Sequence, residues 1–151
     1  MENITIQSDI NNLIDVERFV TSFCDLHNIN NYAAAISMSL LQAVENAIIH
    51  GNNNDPSKKV FIEAGLSRGG VYFQVTDQGD GFNYQQYSDA SLDSAPGNGL
   101  FLMHKLSDRI TFSGNGNCVR MDFYVTGINS SLSLERIMSL RKFYLPMMIH
   151  A

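Results

Sequence analysis

Apolar residues recur along this chain at two spacings, one typical of strands and one typical of helices. Ile4 and Ile6 alternate with polar residues, which predicts a short strand. Helical spacing predicts one helix over about residues 10–27 and another over about residues 32–50. The first is predicted to bury Ile10, Leu13, Ile14, Phe19 and Phe23, and the second Ile36, Leu40, Ala43, Val44 and Ala47.

The second half of the chain has the pattern of two hairpins separated by a polar segment and a short helix. Residues 60–66 and 71–76 alternate in polarity around a glycine turn, as do residues 109–112 and 119–125. The polar segment 82–96 predicts a loop, and a third helix is expected over about residues 99–107. Helices and hairpins in this order predict an α+β fold, because a Rossmann unit would alternate strand and helix strictly.

Composition and charge narrow the classes of partner. The chain has 151 residues, 44% hydrophobic residues and a net charge of −5, which indicates one acidic globular domain. Because binding the phosphate backbone of a nucleic acid needs a basic protein surface, we expect no nucleic acid partner. The chain also has no run of Lys or Arg that would suggest binding to a membrane surface. The N-terminus lacks the pattern of a signal peptide, and no apolar stretch reaches the ~18 residues of a membrane span. We therefore expect a cytoplasmic protein.

Three polar residues and one isoleucine share one face of the second predicted helix. Gln42, Glu45, Asn46 and Ile49 are spaced at i, i+3, i+4 and i+7, so they share that face. An amide oxygen is a hard ligand that suits Mg²⁺, which makes Asn46 a candidate metal ligand. The alternative is an Asn that only bonds within its own helix.

Two glycine motifs follow this helix. In residues 77–81, Asp77 precedes two glycines, and its carboxylate could accept a hydrogen bond from an exocyclic amine such as that of adenine. In residues 97–100, a glycine turn opens the third helix, where backbone N–H groups suit a phosphate. Either motif alone could be an ordinary turn. The candidate nucleotide-binding residues are Asn46, Asp77, Gly79, Gly81, Gly97, Asn98, Gly99 and Leu100.

The order and spacing of the three motifs resemble the ATP-binding fold shared by gyrase, Hsp90, histidine kinases and MutL, and above all the anti-sigma factor serine kinases. The resemblance implies a two-layer sandwich of a mainly antiparallel mixed sheet with helices on one face, and binding of ATP and Mg²⁺. It also implies that Asn46 ligates Mg²⁺, that Asp77 recognises adenine and that the glycines shape the pocket and its lid. The residues that match the family motifs are Gln42, Ala43, Asn46, Ala47, His50 and Gly51, then Asp77, Gly79 and Gly81, then Gly97, Gly99, Leu100, Leu102 and Met103.

The same resemblance implies a function in transcription. Members of this family phosphorylate a serine of a STAS-domain anti-anti-sigma protein and sequester a sigma factor, switching between the two partners. In one respect the chain departs from the family, which has Glu as the catalytic base where this chain has Gln42. A neutral amide cannot accept the proton as a base does, so Gln42 and Glu45, one turn later, are the candidate catalytic residues.

Alternatives to a kinase remain open at the level of sequence. Gln42 favours a nucleotide-gated binding protein without kinase activity, and a detached histidine-kinase catalytic domain is a third possibility, although no phosphoacceptor helix is visible upstream. We divide the chain into an ATP-binding domain over residues 1–127 and a helical extension over residues 128–151. The apolar face of this extension could pack on the domain, form a homodimer or bind a partner; it includes Leu134, Ile137, Met138 and Leu140.

Overall fold

The computed structural model describes residues 1–81, 99–125 and 134–140, and the statements below concern these residues. They form five strands and three main helices, with short 3-10 turns before the first two helices. The strands are β1 (Glu2–Gln7), β2 (Lys59–Ser67), β3 (Gly70–Thr76), β4 (Arg109–Ser113) and β5 (Cys118–Tyr124). The helices are α1 (Leu13–Leu26), α2 (Ala33–Asn46) and α3 (Gly99–Leu106), and a π-helical turn (Ala47–Gly51) continues α2.

The five strands form one sheet in the order β1-β2-β3-β5-β4. All four strand pairs are antiparallel. The predicted hairpins are both present, with β2 and β3 joined at residues 68–69 and β4 and β5 joined at residues 114–117. The predicted α+β class and the layer of helices on the sheet are therefore confirmed.

Alternation along the strands decides which face of the sheet is buried. Successive strand residues point to opposite faces, so every second residue of β2, β3 and β5 points toward α1 and α2. Phe73 lies at the centre of this core, with its ring edge-on to Phe23 at 5.0 Å and to Phe123 at 6.2 Å between centroids. The inward strand residues are Val60, Ile62, Ala64, Val71, Phe73, Val75, Val119, Met121 and Phe123, all buried.

The predicted buried face of the first helix is partly wrong. Ile10 lies in a 3-10 turn (Ile10–Asn12) before α1 and is 49% exposed, and Ile14 is 53% exposed. At about 100° per residue, Ile14 lies roughly 160° around the helix from the buried Val16, so one helix cannot bury both. The face that packs on the sheet instead carries Val16, Val20, Phe23 and Cys24, with Leu13 and Phe19 at its edge.

The second helix buries the face that the sequence predicts. Ile36, Leu40, Ala43, Val44 and Ala47 are all buried in the core. The run Asn30–Gly51 is 22 residues long and, contrary to the expectation above, apolar enough by length and composition to cross a membrane. Half of its most apolar window is buried inside the molecule, as in a core helix of a globular domain.

Part of the C-terminal extension forms a helix over residues 134–140 that packs on the domain. Ile137 and Leu140 are buried against Ala35 of α2 and Leu106 of α3. Arg136 adds an ion pair to Asp108 at 3.1 Å. The four apolar residues of this segment do not share one buried face, because Leu134 and Met138 are exposed. The proposed boundary at residues 127–128 lies outside the described residues.

Candidate functional site

The polar face predicted on α2 is present and half-exposed. Gln42, Glu45 and Asn46 are all partly accessible, whereas the neighbouring Ala43 and Val44 are buried. Gln42 Nε2 donates a hydrogen bond of 3.4 Å to Asn46 Oδ1. Because an amide oxygen has two lone pairs, Asn46 can accept this bond and still present its oxygen to a metal. The Gln42 and Asn46 side chains therefore contact each other on this face of α2.

The end of this helical run differs from the prediction of an α-helix to His50. Residues Ala47–Gly51 form a π-helical turn, in which the N–H of Asn52 donates to the carbonyl of Ala47 at 2.8 Å. Such turns contain one extra residue and occur frequently at functional sites. The wider turn ends the helix at Gly51, which lies directly against the second predicted motif.

Gly51 and Asp77 pack against each other. A Cβ atom on Gly51 would overlap the carboxylate of Asp77, with Oδ1 at 2.8 Å. Only a residue without a side chain leaves room for a carboxylate at this position. Two residues that are 26 positions apart in sequence therefore form one wall of the site.

The Asp77 carboxylate is held by its own loop, and the Asp77 backbone is held by the turn between β4 and β5. Its Oδ1 accepts a hydrogen bond from the N–H of Gly79 at 2.8 Å. The N–H of Asp77 donates to the carbonyl of Asn117 at 2.9 Å, and Asn117 Nδ2 donates to the carbonyl of Asp77 at 3.2 Å. Within the described residues, Oδ2 has no hydrogen-bond partner, so it can accept a bond from a ligand.

The two glycines of this motif allow close backbone contacts. A Cβ on Gly79 would overlap the carbonyl of Gly51, and one on Gly81 would overlap the carbonyl of Asn115. Gly81 also has a φ of +83°, which side chains other than glycine rarely tolerate. The loop is therefore pressed against the helix end on one side and against the β4–β5 turn on the other.

Burial raises the pKa of the Asp77 carboxyl above its ordinary value. The hydrogen bond from Gly79 and the positive charge of Lys58 favour the charged form, but they offset only part of this effect. A half-buried carboxylate with one unused oxygen is an acceptor that a ligand donor would satisfy.

This raised pKa predicts a stability effect in the nucleotide-free protein. When the folded pKa lies above the unfolded value of 3.8, the charged group opposes folding at pH values above the folded pKa, and the penalty vanishes as the pH falls below 3.8. We therefore expect Asp77→Asn to unfold at a higher urea concentration than wild type at pH 7. The difference between the two midpoints should vanish at about pH 3, below the usual pKa of Asp. A wild type that is the more stable protein at pH 7 would contradict this assignment.

The third motif is described only in part. Gly97 and Asn98 lie outside the described residues, as does the predicted loop over residues 82–96. Gly99 begins α3 as predicted, and the backbone of Leu100 continues it. Because α3 packs against α2, its first turn lies in the same layer as the polar face of α2.

The described residues contain no group of three or more His, Cys, Asp or Glu that could hold a metal by themselves. Mg²⁺ usually keeps several waters and takes one or two protein ligands together with the phosphates of a substrate. Asn46 and a nucleotide fit that pattern better than a site built from protein carboxylates alone.

Sequence reasoning does not identify two residues that build the site, Asn52 and Asn117. Gly51 belongs to the first family motif, but its contact with Asp77 is visible only in the fold. Asn52 is fully buried and contacts the Asp77 loop, whereas the adjacent Asn53 is an exposed residue with a φ of +54°. Nothing in a run of three asparagines distinguishes the buried one from the others.

Sequence comparisons match the chain to a protein family and to two known proteins. The sequence model of the histidine kinase-like ATPase domain family matches residues 6–123. An anti-sigma F factor from Geobacillus sp. (strain WCH70) is 31% identical over 94 residues, which is 56% of this chain and 64% of that protein. An anti-sigma F factor from Geobacillus thermodenitrificans (strain NG80-2) is 34% identical over 82 residues, 50% of this chain and 56% of that protein. The chain thus spans less than two thirds of the length of these relatives.

Proposed function

Because the chain belongs to the histidine kinase-like ATPase domain family, we propose that it is an ATP-dependent anti-sigma factor that also phosphorylates a protein serine. Its proposed partners are a sigma factor, which it sequesters, and a STAS-domain anti-anti-sigma protein, which it phosphorylates, both in the cytoplasm. The similarity to two proteins named anti-sigma F factor supports the choice of partners.

One observation carries the nucleotide part of this proposal. The Asp77 carboxylate is half-buried against Gly51, one oxygen is held by Gly79, and the other has no partner within the described residues. Adenine carries an exocyclic amine that donates hydrogen bonds, whereas guanine carries an acceptor oxygen at the equivalent position. An ionised carboxylate accepts but cannot donate, so this site suits adenine.

The phosphates would lie toward the other end of the π-helical turn. Asn46 is five residues before Gly51, about 7.5 Å along a helix axis at ~1.5 Å per residue. An ATP molecule with its base at Asp77 can therefore extend along α2 toward Asn46 and the first turn of α3. Mg²⁺ bound by Asn46 and the phosphates would neutralise charge that develops during phosphoryl transfer.

Transfer to a serine also needs a destination for the hydroxyl proton. As the serine oxygen bonds to the γ-phosphorus and ADP leaves, we propose that Glu45 takes that proton. Gln42 cannot do so, and its bond to Asn46 gives it a role in orienting the metal ligand instead. Positioning and electrostatics supply most of the rate of phosphoryl transfer, so a relocated base is compatible with activity.

A second candidate is a nucleotide-gated binding protein that does not transfer phosphate. The hydrogen bond between Gln42 and Asn46 favours it, because a neutral amide occupies the position of the family's base. Both candidates share the ATP site and differ only in chemistry.

The two candidates can be separated by transfer of labelled γ-phosphate from ATP to a STAS-domain protein. We expect wild type to transfer phosphate, Glu45→Gln to lose about 100-fold or more of that rate, and Gln42→Glu to be at least as fast as wild type, since general-base catalysis contributes ~10²–10⁴-fold. Wild type and Glu45→Gln should bind Mg-ATP with similar affinity, and the affinity of Gln42→Glu is measured beside them, because Glu cannot donate the hydrogen bond to Asn46.

The binding control decides how a negative result is interpreted. ATP binding without transfer by wild type would favour the nucleotide-gated binding protein. Recovery of transfer in Gln42→Glu would then assign the loss to that residue. Full activity in Glu45→Gln would refute the relocated base.

A further inference from the structure

The buried side chain of Asn52 links three separate segments next to the site. Its Nδ2 donates to Ser8 Oγ at 2.8 Å and to the carbonyl of Lys59 at 3.0 Å. Its Oδ1 accepts from the backbone N–H of Gln78 at 2.8 Å. Ser8 follows β1, Lys59 begins β2, and Gln78 is the residue after Asp77.

Burial makes this set of bonds costly to break. Asn52 is fully buried, and a buried amide left without partners costs far more than one exposed to water. Both amide hydrogens and one oxygen lone pair are used, so the orientation of the side chain is fixed. Its neighbours Asn53 and Asn54 have positive φ values and end the helical run, a role that needs no buried amide.

The bond from Gln78 to Asn52 holds the residue after Asp77, whereas Asn117 holds Asp77 itself. The backbone of Asp77 is held by Asn117, and the next N–H is held by Asn52. The Gln78 side chain adds a bond of its own, in which Oε1 accepts from the N–H of Lys59 at 2.7 Å. The loop is therefore fixed on both sides of the carboxylate before any ligand arrives.

We propose that Asn52 is a positioning residue for base recognition, which holds the Gln78 backbone and so fixes the Asp77 carboxylate for the exocyclic amine of adenine. This inference rests on the proposed function of Asp77. Fixing the acceptor in advance reduces the entropy that a ligand would otherwise lose on ordering the loop. Asn52 contributes to specificity as well as affinity, because a mobile carboxylate could move away from a guanine carbonyl that a fixed one would repel.

The test compares the ratio of GTP to ATP dissociation constants in wild type, Asn52→Ala and Ser8→Ala, measured by calorimetry with Mg-nucleotides. Since both nucleotides bind the same folded fraction, this ratio does not change when a variant is only destabilised. Ser8→Ala is the matched control, because it removes a buried bond to Asn52 and the bond from Ser8 Oγ to the carbonyl of Lys58 but leaves the Gln78 contact in place.

We expect the ratio to fall about tenfold in Asn52→Ala, the size expected for one lost hydrogen bond, and to stay within about twofold of wild type in Ser8→Ala. An unchanged ratio in Asn52→Ala would overturn the inference. A wild type without preference for ATP, or an unchanged ratio in Asp77→Asn, would instead refute the proposed role of Asp77 in binding adenine. That outcome is distinguishable from failure of the Asn52 inference alone.

Amide exchange in the wild type gives a test that does not depend on the folding of Asn52→Ala. The Gln78 N–H should exchange at least about 100-fold more slowly than an unprotected amide in the nucleotide-free protein, because it opens only with the loop. Exchange at the unprotected rate would overturn the inference.

Discussion

Replacing Asp77 with Asn is expected to weaken Mg-ATP binding about 30-fold, or roughly 2 kcal/mol, the range measured for hydrogen bonds to charged groups. To keep the bond from Gly79, the new amide must place its oxygen where Oδ1 is now. Its NH₂ group then points at the ligand, so two donors face each other at the adenine amine. Guanine has an acceptor oxygen there, so the preference for ATP over GTP should fall as well. Calorimetry with both nucleotides measures the two effects.

The control for this prediction is a second substitution that removes one negative charge. Asp55 lies in the loop after the π-helical turn, and its carboxylate accepts hydrogen bonds from Ser57. Asp55→Asn should leave both nucleotide affinities within about twofold of wild type, because the Asp55 side chain bonds to Ser57 and salt screens its charge. Equal affinity in wild type and Asp77→Asn would mean that adenine is recognised elsewhere.

Adding one methyl group at Gly51 is expected to weaken Mg-ATP binding by a similar amount, through steric displacement of Asp77. In Gly51→Ala the new Cβ would overlap the Asp77 carboxylate, which must move away from its position beside the helix end. Overpacking of this kind costs about 1–3 kcal/mol of folding free energy. We expect Mg-ATP affinity to fall at least about tenfold as well, since one hydrogen bond of the displaced acceptor is worth about that much.

Gly65→Ala is the matched control for steric insertion. A Cβ on Gly65 would approach the ring of Tyr72 at 2.8 Å, and both residues lie in the sheet and outside the site. Urea unfolding should report destabilisation in both variants, while calorimetry should report weaker ATP binding only in Gly51→Ala. Weak binding in both variants would mean that destabilisation alone accounts for the loss at Gly51.

The fold could be predicted because each element has a clear local pattern. Ile36, Leu40, Ala43 and Val44 repeat at helical spacing, and β2 and β3 alternate around a glycine turn. The first helix carries two apolar stripes, one with Ile10 and Ile14 and the other with Val16 and Val20. Which stripe is buried depends on the sheet that it meets, and no local spacing encodes that.

The site could be predicted only where a motif has its own chemistry. Asp77 stands out because a hydrogen-bond acceptor directly precedes two glycines. Asn46 stands out because a hard metal ligand comes before these glycines in an order that the family shares. Asn52 and Asn117 do not, and the motif of Gly51 does not reveal its contact with Asp77, because these roles come from contacts between segments that are distant in sequence. The π-helical turn that brings Gly51 to Asp77 is likewise set by packing and has no composition of its own.

The central claim is that the Asp77 carboxylate binds the exocyclic amine of adenine. The most direct measurement is the position of adenine in a crystal structure with Mg²⁺ and a non-hydrolysable ATP analogue. The account predicts that the exocyclic nitrogen lies about 2.7–3.2 Å from Asp77 Oδ2, the distance of an N–H···O hydrogen bond. An adenine bound away from Asp77, with Oδ2 still unpaired, would contradict it.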